Sequence, residues 1–322
     1  MLGIKKAVIE VCGACNYKCS FCPHSFPNGR ERSFRKMMNY QMFVNILDQL
    51  IDSEVEEIYL EGSGEPFMNK KLHNFVKSGT DRGFKMSFST NGLLMTGDAM
   101  KKVVDAGLCH ARVSVIGYNH TTYHERMSED KFYEVMHNAI ETLEYIESVG
   151  SNATIGSYHL ILDNDNQEYE IEQYRKNWID HVDGIKAEIW KMHNWSGQLE
   201  GVDWRLDKKK RSCGRPFSPD IVIRAGGIGG MEGAVVPCCM VLGQDSKAVL
   251  GHLSHQSIEE IYYGDDYNKL RKAHEMHDFD SIDYCKNCDM LYETPEALVW
   301  SNWETNYHIL TGGIFDMREY RK

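Results

Sequence analysis

The sequence predicts an α/β fold: a partial (β/α)6 TIM-like barrel followed by a small α+β module. Three observations carry this expectation: six short strand-like runs, helical apolar periodicity between them, and a break in that rhythm after about residue 200. The runs are KKAVIEVC (5–12), VEEIYLE (55–61), FKMSFS (84–89), ARVSVI (111–116), ATIGSYHLI (153–161) and IKAEIWK (185–191). Between them YQMFVNILDQLI, KKLHNFVKSG, GDAMKKVVDAG and FYEVMHNAIETLEYIESVG space apolar residues by three and four, as a helix with one buried face requires. Repeated βα units imply parallel strands curling into an incomplete barrel over 1–200. For 201–322 the sequence predicts a hairpin with a glycine-rich turn in DIVIRAGGIGGMEGAVVPCC, one helix in SIEEIYYGDDYNKLRKAHE and a metal knuckle in YCKNC.

Composition limits the function. Thirty-six basic residues against 47 acidic ones leave a net charge of −11, which argues against a nucleic-acid partner. The one basic run, DKKKR (207–211), reads as a solvated linker face. The N-terminus lacks the pattern of a signal peptide, and no apolar run approaches the roughly 18 residues of a spanning helix, so no membrane partner and a cytoplasmic location are expected. In that setting ten cysteines point to metal ligation or catalysis before disulfides.

Three of those cysteines crowd into CNYKCSFC (15–22), just past the first strand. The C-terminal end of a parallel strand is where loops are free to carry chemistry over a rigid scaffold. Thiolates suit zinc or iron–sulfur centres. With Cys12 added, four thiolates could close a zinc site; with only Cys15, Cys19 and Cys22, a four-iron cube would keep one iron open to a small molecule.

The C-x3-C-x2-C spacing, with Phe21 before the last cysteine, resembles the signature of the radical S-adenosylmethionine (radical SAM) superfamily. GSGEP (62–66), STNG (89–92) and VSVIG (113–117) fall where that family carries supporting motifs. The resemblance implies that Cys15, Cys19 and Cys22 hold a [4Fe-4S] cluster whose open iron chelates S-adenosyl-L-methionine. It implies that the backbone at Ser63, Gly64 and Glu65 binds the methionyl ammonium, and that Phe21 lies by the adenine. Ser114 and Arg126 would take the SAM carboxylate, with Ser89 or Asn91 shaping the pocket; a surface helix charge is the other reading of Arg126.

CGRPF (213–217), GAVVPCC (233–239), LGHLSHQSIEEIY (250–262) and CKNC (285–288) resemble the Twitch module, a reduced SPASM domain. That implies a second [4Fe-4S] cluster, closed by Cys213, Cys238, Cys285 and Cys288. No cysteine follows Cys288, so a further auxiliary cluster has no ligands, and Cys239 is a spare neighbour able to exchange with Cys238. A closed cluster suits electron transfer.

Strand parity supplies the last expectation. Glu10 and Cys12, Tyr59 and Glu61, Ser87 and Ser89, and Glu188 and Trp190 occupy the faces opposite the apolar ones, which makes a polar lumen if the apolar faces pack on helices. Glu10, Cys12 and Glu188 are the candidate catalytic residues. A polar lumen favours a small-molecule substrate of sugar or aminocyclitol type, as in family dehydrogenases with a single Twitch cluster; the same groups could instead only satisfy one another around SAM. The alternatives are a peptide or protein modifier and a non-catalytic metal-binding protein. The first strand begins almost at the N-terminus, so no leader-peptide recognition domain is expected. An external electron donor such as flavodoxin or ferredoxin is implied.

Overall fold

A computed structural model describes residues 3–26, 36–162, 165–226, 233–241 and 246–303. Six parallel strands form the barrel wall: β1 (Lys6–Ile9), β2 (Glu57–Leu60), β3 (Lys85–Thr90), β4 (Leu108–Ser114), β5 (Thr154–Ile161) and β6 (Lys186–Lys191). All four residues of β1 are buried, as expected of a parallel strand covered on both sides.

The four anticipated helices are α1 (Tyr40–Leu50), α2 (Leu72–Thr80), α3 (Gly97–Asp105) and, after the short α4 (His120–Met127), α5 (Phe132–Ser148). Helix α1 starts where Asn39 accepts from the amides of Gln41 and Met42, and it buries Phe43, Ile46, Leu47 and Leu50 along one stripe. Helices α4 and α6 (Gln167–Asn177) were not singled out by periodicity, and each buries only two side chains: Tyr123 and Met127, and Glu170 and Tyr174.

The sheet does not stop at the expected boundary near residue 200. Strand β7 (Asp220–Arg224) pairs parallel with β1, and β8 (Ala234–Val236) pairs antiparallel with β7, giving the expected hairpin; its turn, 227–232, lies outside the described residues. Strand β9 (Gly251–His252) follows, and β10 (Leu298–Ser301) joins β6 antiparallel at the other edge. The resulting order is β10-β6-β5-β4-β3-β2-β1-β7-β8-β9. The rest of the aromatic tail, 304–322, lies outside the described residues.

The single helix expected over 257–275 is two: α7 (Ile258–Tyr262) and α8 (Asp265–Glu275). Ser257 and Glu260 form a capping box that starts α7, and Gly264 is extended, with ψ 171°, as the N-cap of α8. A Cβ at Gly264 would strike the Glu260 carbonyl, so the break is built on a close backbone approach.

Candidate active site

Three loops at the C-terminal ends of β1, β2 and β3 meet on one buried carboxylate. Glu65 accepts from the amides of Phe67 (3.0 Å) and Asn91 (2.7 Å) and from the Thr90 hydroxyl (2.8 Å), while its own amide donates to the Ala14 carbonyl (2.7 Å). The cysteine loop, GSGEP and STNG are thereby fixed together. Burial pushes the Glu65 carboxyl up to about 7, against the pull of those three donors. Gly64 has to be glycine, because a Cβ there would run into the backbone of Cys12, Gly13 and Ala14.

Cys15, Cys19 and Cys22 sit together, half-buried, in the loop so held. Burial pushes Cys15 up to about 12 and Cys22 up to about 11 and raises Cys19 strongly; charge on Cys22 adds to the cost of ionising either of the other two. Three thiols in one pocket, hard to ionise without a cation, are a donor set that an iron–sulfur cluster fits. Asn91 Nδ2 lies 4.0 Å from Cys15 Sγ and donates to Asn16 Oδ1 at 2.8 Å. Cys12 points elsewhere: its thiol donates to the Ala14 carbonyl at 3.5 Å.

The second set converges as well. Cys285 is influenced electrostatically by Cys213 and Cys238, and Cys288 by all three, with burial the dominant cause of their raised values. The Cys288 amide donates to the Cys285 carbonyl at 2.8 Å, which closes the knuckle. Arg215, buried nearby, gains charge stabilisation from Cys239, Asp220, Cys238 and Cys213. Cys239 stands beside Cys238 and acts electrostatically on it, on Arg215 and on Arg112, and its carbonyl accepts from Arg224 Nη2 at 3.2 Å. Among the described residues no three His, Cys, Asp or Glu side chains converge as a single ion requires. In a four-iron cube each thiolate holds its own iron, so the sulfurs stand farther apart than around one ion.

The lumen between the two sets is polar, as parity suggested. Arg112 on β4, 6% exposed, lies over the rings of Tyr158 (4.4 Å) and Tyr59 (5.7 Å), and its Nε donates to Ser89 at 3.3 Å. Its terminal nitrogens stand 3.7 Å from Glu61 and 4.0 Å from Glu188, and Glu188 accepts from the Trp190 indole at 2.8 Å. Ser114 lies opposite Tyr158 in the β4–β5 pairing. Glu10 is occupied: Ser63 donates to it from both amide and hydroxyl at 2.6 Å, the Ala225 amide at 3.2 Å, and Arg224 stands 3.5 Å away. Arg126 turns its guanidinium to Glu170, which also receives His159 Nε2 at 2.7 Å. Phe21, within the cysteine loop, is buried. Sequence reasoning missed Arg112 and Arg224, although period-two alternation through Ser114 and Val222 puts both on the lumen side.

This barrel end, with its three-thiol loop and a four-thiol set across the lumen, defines a cluster-dependent enzyme. Residues 9–173 match the family described as the radical SAM superfamily, and residues 230–289 match an iron–sulfur cluster-binding domain, SPASM. The chain belongs to the radical SAM superfamily, whose cofactors are a [4Fe-4S] cluster and S-adenosyl-L-methionine; the SPASM match adds auxiliary iron–sulfur binding. The chain is 30% identical over 106 residues to the tungsten-containing aldehyde ferredoxin oxidoreductase cofactor-modifying protein of Pyrococcus furiosus, covering 33% of this chain and only 29% of that relative. It is 22% identical over 285 residues to the S-adenosyl-L-methionine-dependent 2-deoxy-scyllo-inosamine dehydrogenase of Niallia circulans, covering 87% and 91%. In fold it resembles BtrN in complex with AdoMet and 2-DOIA (TM-score 0.58, 18% identity, 92% and 98% covered). It also resembles Streptococcus suis SuiB bound to precursor peptide SuiA (TM-score 0.62, 14% identity, 90% and 71% covered). Among the described residues no helix is long and apolar enough to cross a membrane.

Proposed function

We propose that the protein removes a hydrogen atom from a hydroxylated or amine-bearing small molecule held in the barrel lumen, as a dehydrogenase-like oxidoreductase of the cytoplasm. When bound, SAM and the cluster on Cys15, Cys19 and Cys22 supply the 5'-deoxyadenosyl radical, and the cluster on Cys213, Cys238, Cys285 and Cys288 supplies a one-electron acceptor.

The observation that carries the substrate reading is Arg112. Its terminal nitrogens have no hydrogen-bond partner among the described residues, and both carboxylates near them stand beyond hydrogen-bond reach. A nearly buried guanidinium with unused donors is suited to paired substrate oxygens. Tyr59 and Tyr158 hold its plane. Glu61 and Glu188 are placed to accept from substrate hydroxyl or ammonium groups, and Glu188 is the better enclosed of the two. Glu10 and Cys12, engaged by neighbouring loops, serve architecture in this reading, and Glu188 takes the proton. In this reading Ser63, Gly64, Glu65, Phe21, Ser89, Asn91 and Ser114 form the SAM pocket, whereas Arg126 is committed to Glu170.

The test is to add small-molecule and peptide fractions of a cell extract to the reduced holoenzyme and follow 5'-deoxyadenosine. Stimulation by the small-molecule fraction is expected. Stimulation confined to the peptide fraction would overturn the substrate reading in favour of peptide modification, the use indicated by SuiB's bound precursor peptide.

A further inference from the structure

The cysteine loop is gripped from outside by the last turn of α4, more than 100 residues away in sequence. The Ser20 amide donates to the Arg126 carbonyl at 2.8 Å, and the Ser20 hydroxyl reaches the same oxygen at 3.2 Å. On the other side of Cys19, the Ser128 hydroxyl donates to the Lys18 carbonyl at 2.8 Å. Between them Met127, itself buried, sets its thioether sulfur 3.7 Å from Cys19 Sγ. One turn earlier the hydroxyls of Tyr123 and Tyr17 meet at 3.1 Å in the core.

The turn is itself held rigidly. Asn119 and Thr122 close a capping box at its start, and Ser128 ends it in the left-handed region (φ 59°), its amide bonded to the His124 carbonyl at 2.9 Å. Left-handed backbone at a serine is mildly unfavourable, so tertiary contacts must hold it. Here the backbone reversal aims the hydroxyl at Lys18. Laterally, Glu170 on α6 clasps the Arg126 guanidinium and is braced by His159 of β5.

We propose that this α4 turn is a latch that positions Cys19, the middle thiolate of the SAM-cleaving cluster, with Ser128 and Tyr123 as its positioning residues. The loop contributes three ligands in eight residues and has no regular secondary structure of its own around Cys19. Without the latch, Cys19 would be held by chain connectivity and by one hydrogen bond inside the loop, from the Cys22 amide to the Cys19 carbonyl at 3.2 Å. The proposal rests on the assignment of Cys19 as a ligand, which the experiment tests separately.

The experiment uses anaerobically reconstituted, dithionite-reduced protein and follows two electron paramagnetic resonance signals during exposure to an iron chelator: the one that shifts when SAM is added and the one that does not. Ser128→Ala should lose the SAM-responsive signal about fivefold faster than the wild type, the factor that one net hydrogen bond of ~1 kcal/mol is worth. Adding Tyr123→Phe should speed it further. Ser128→Asn should return the rate to within about twofold, because asparagine tolerates left-handed backbone and its amide can donate to Lys18. The SAM-insensitive signal should decay at the wild-type rate throughout. Equal rates in wild type and Ser128→Ala, or parallel loss of both signals, would overturn the latch. A SAM-responsive signal that survives in Cys19→Ala would overturn the ligand assignment and the proposal with it.

Discussion

The amide of Asn91 donates to Glu65 Oε2 at 2.7 Å across 26 residues of sequence, joining the loop after β3 to the loop after β2 on a fully buried carboxylate. Three donors point at this group. Burial nonetheless lifts its pKa to about 7, and the sign of the consequence follows. Between the ordinary carboxylate value and about 7 the folded protein holds a proton that the unfolded chain has lost, so this residue's contribution to stability falls as pH rises through that window and levels off above it. Denaturant titrations from pH 5 to 8 should therefore show wild-type stability falling as pH rises and Glu65→Gln lacking that fall. The wild type should lose on the order of 3 kcal/mol relative to the variant's own pH profile. Identical pH profiles would show that the carboxylate ionises in the folded state as easily as in the unfolded chain.

Gly64→Ala tests the same junction sterically. The new methyl group would displace the backbone of Cys12, Gly13 and Ala14, and overpacking of this kind costs roughly 1–3 kcal/mol. Thermal melts should show a lowered midpoint, and iron content should fall at the SAM-responsive cluster first.

Arg112→Lys keeps the lumen charge but loses the planar fork between Tyr59 and Tyr158. Substrate conversion should drop at least about tenfold, or ~1.4 kcal/mol in the barrier, while 5'-deoxyadenosine is still formed without product. Proportional loss of both would place Arg112 in SAM binding instead.

These groups were unevenly legible in the sequence. Cys15, Cys19 and Cys22, the GSGEP glutamate and the CKNC knuckle announce themselves because their chemistry is packed into short segments. Alternation along the strands revealed Glu188 and Tyr59, and the same rule applied to ARVSVI would have found Arg112. What local pattern cannot carry is partnership over distance. The parallel pairing of β7 with β1, the addition of β10 to β6, and the meeting of Ser128 with Lys18 depend on where the chain returns. The split of α7 from α8 was hidden for a related reason: Gly264 reads as a tolerable helix interruption until the Glu260 carbonyl is seen to leave no room for a side chain.

Cys285→Ala with Cys288→Ala removes two of the four converging auxiliary thiols. Reductive cleavage of SAM should persist in part, because the first set of ligands comes from a separate loop, whereas conversion of substrate should stop. Circular dichroism and a melt must first establish that the variant is folded, since ligation and folding are coupled. Normal product yield from a folded variant would point to a redox-neutral reaction.

The most direct test of the account is formation of 5'-deoxyadenosine and methionine from SAM by anaerobic, dithionite-reduced protein, compared with a variant carrying Cys15→Ala, Cys19→Ala and Cys22→Ala. Wild type should bind about eight irons, four in each cluster, and cleave SAM, whereas the variant should keep about four irons and produce no 5'-deoxyadenosine. Zinc in place of iron in the wild type, or undiminished 5'-deoxyadenosine from the variant, would contradict it.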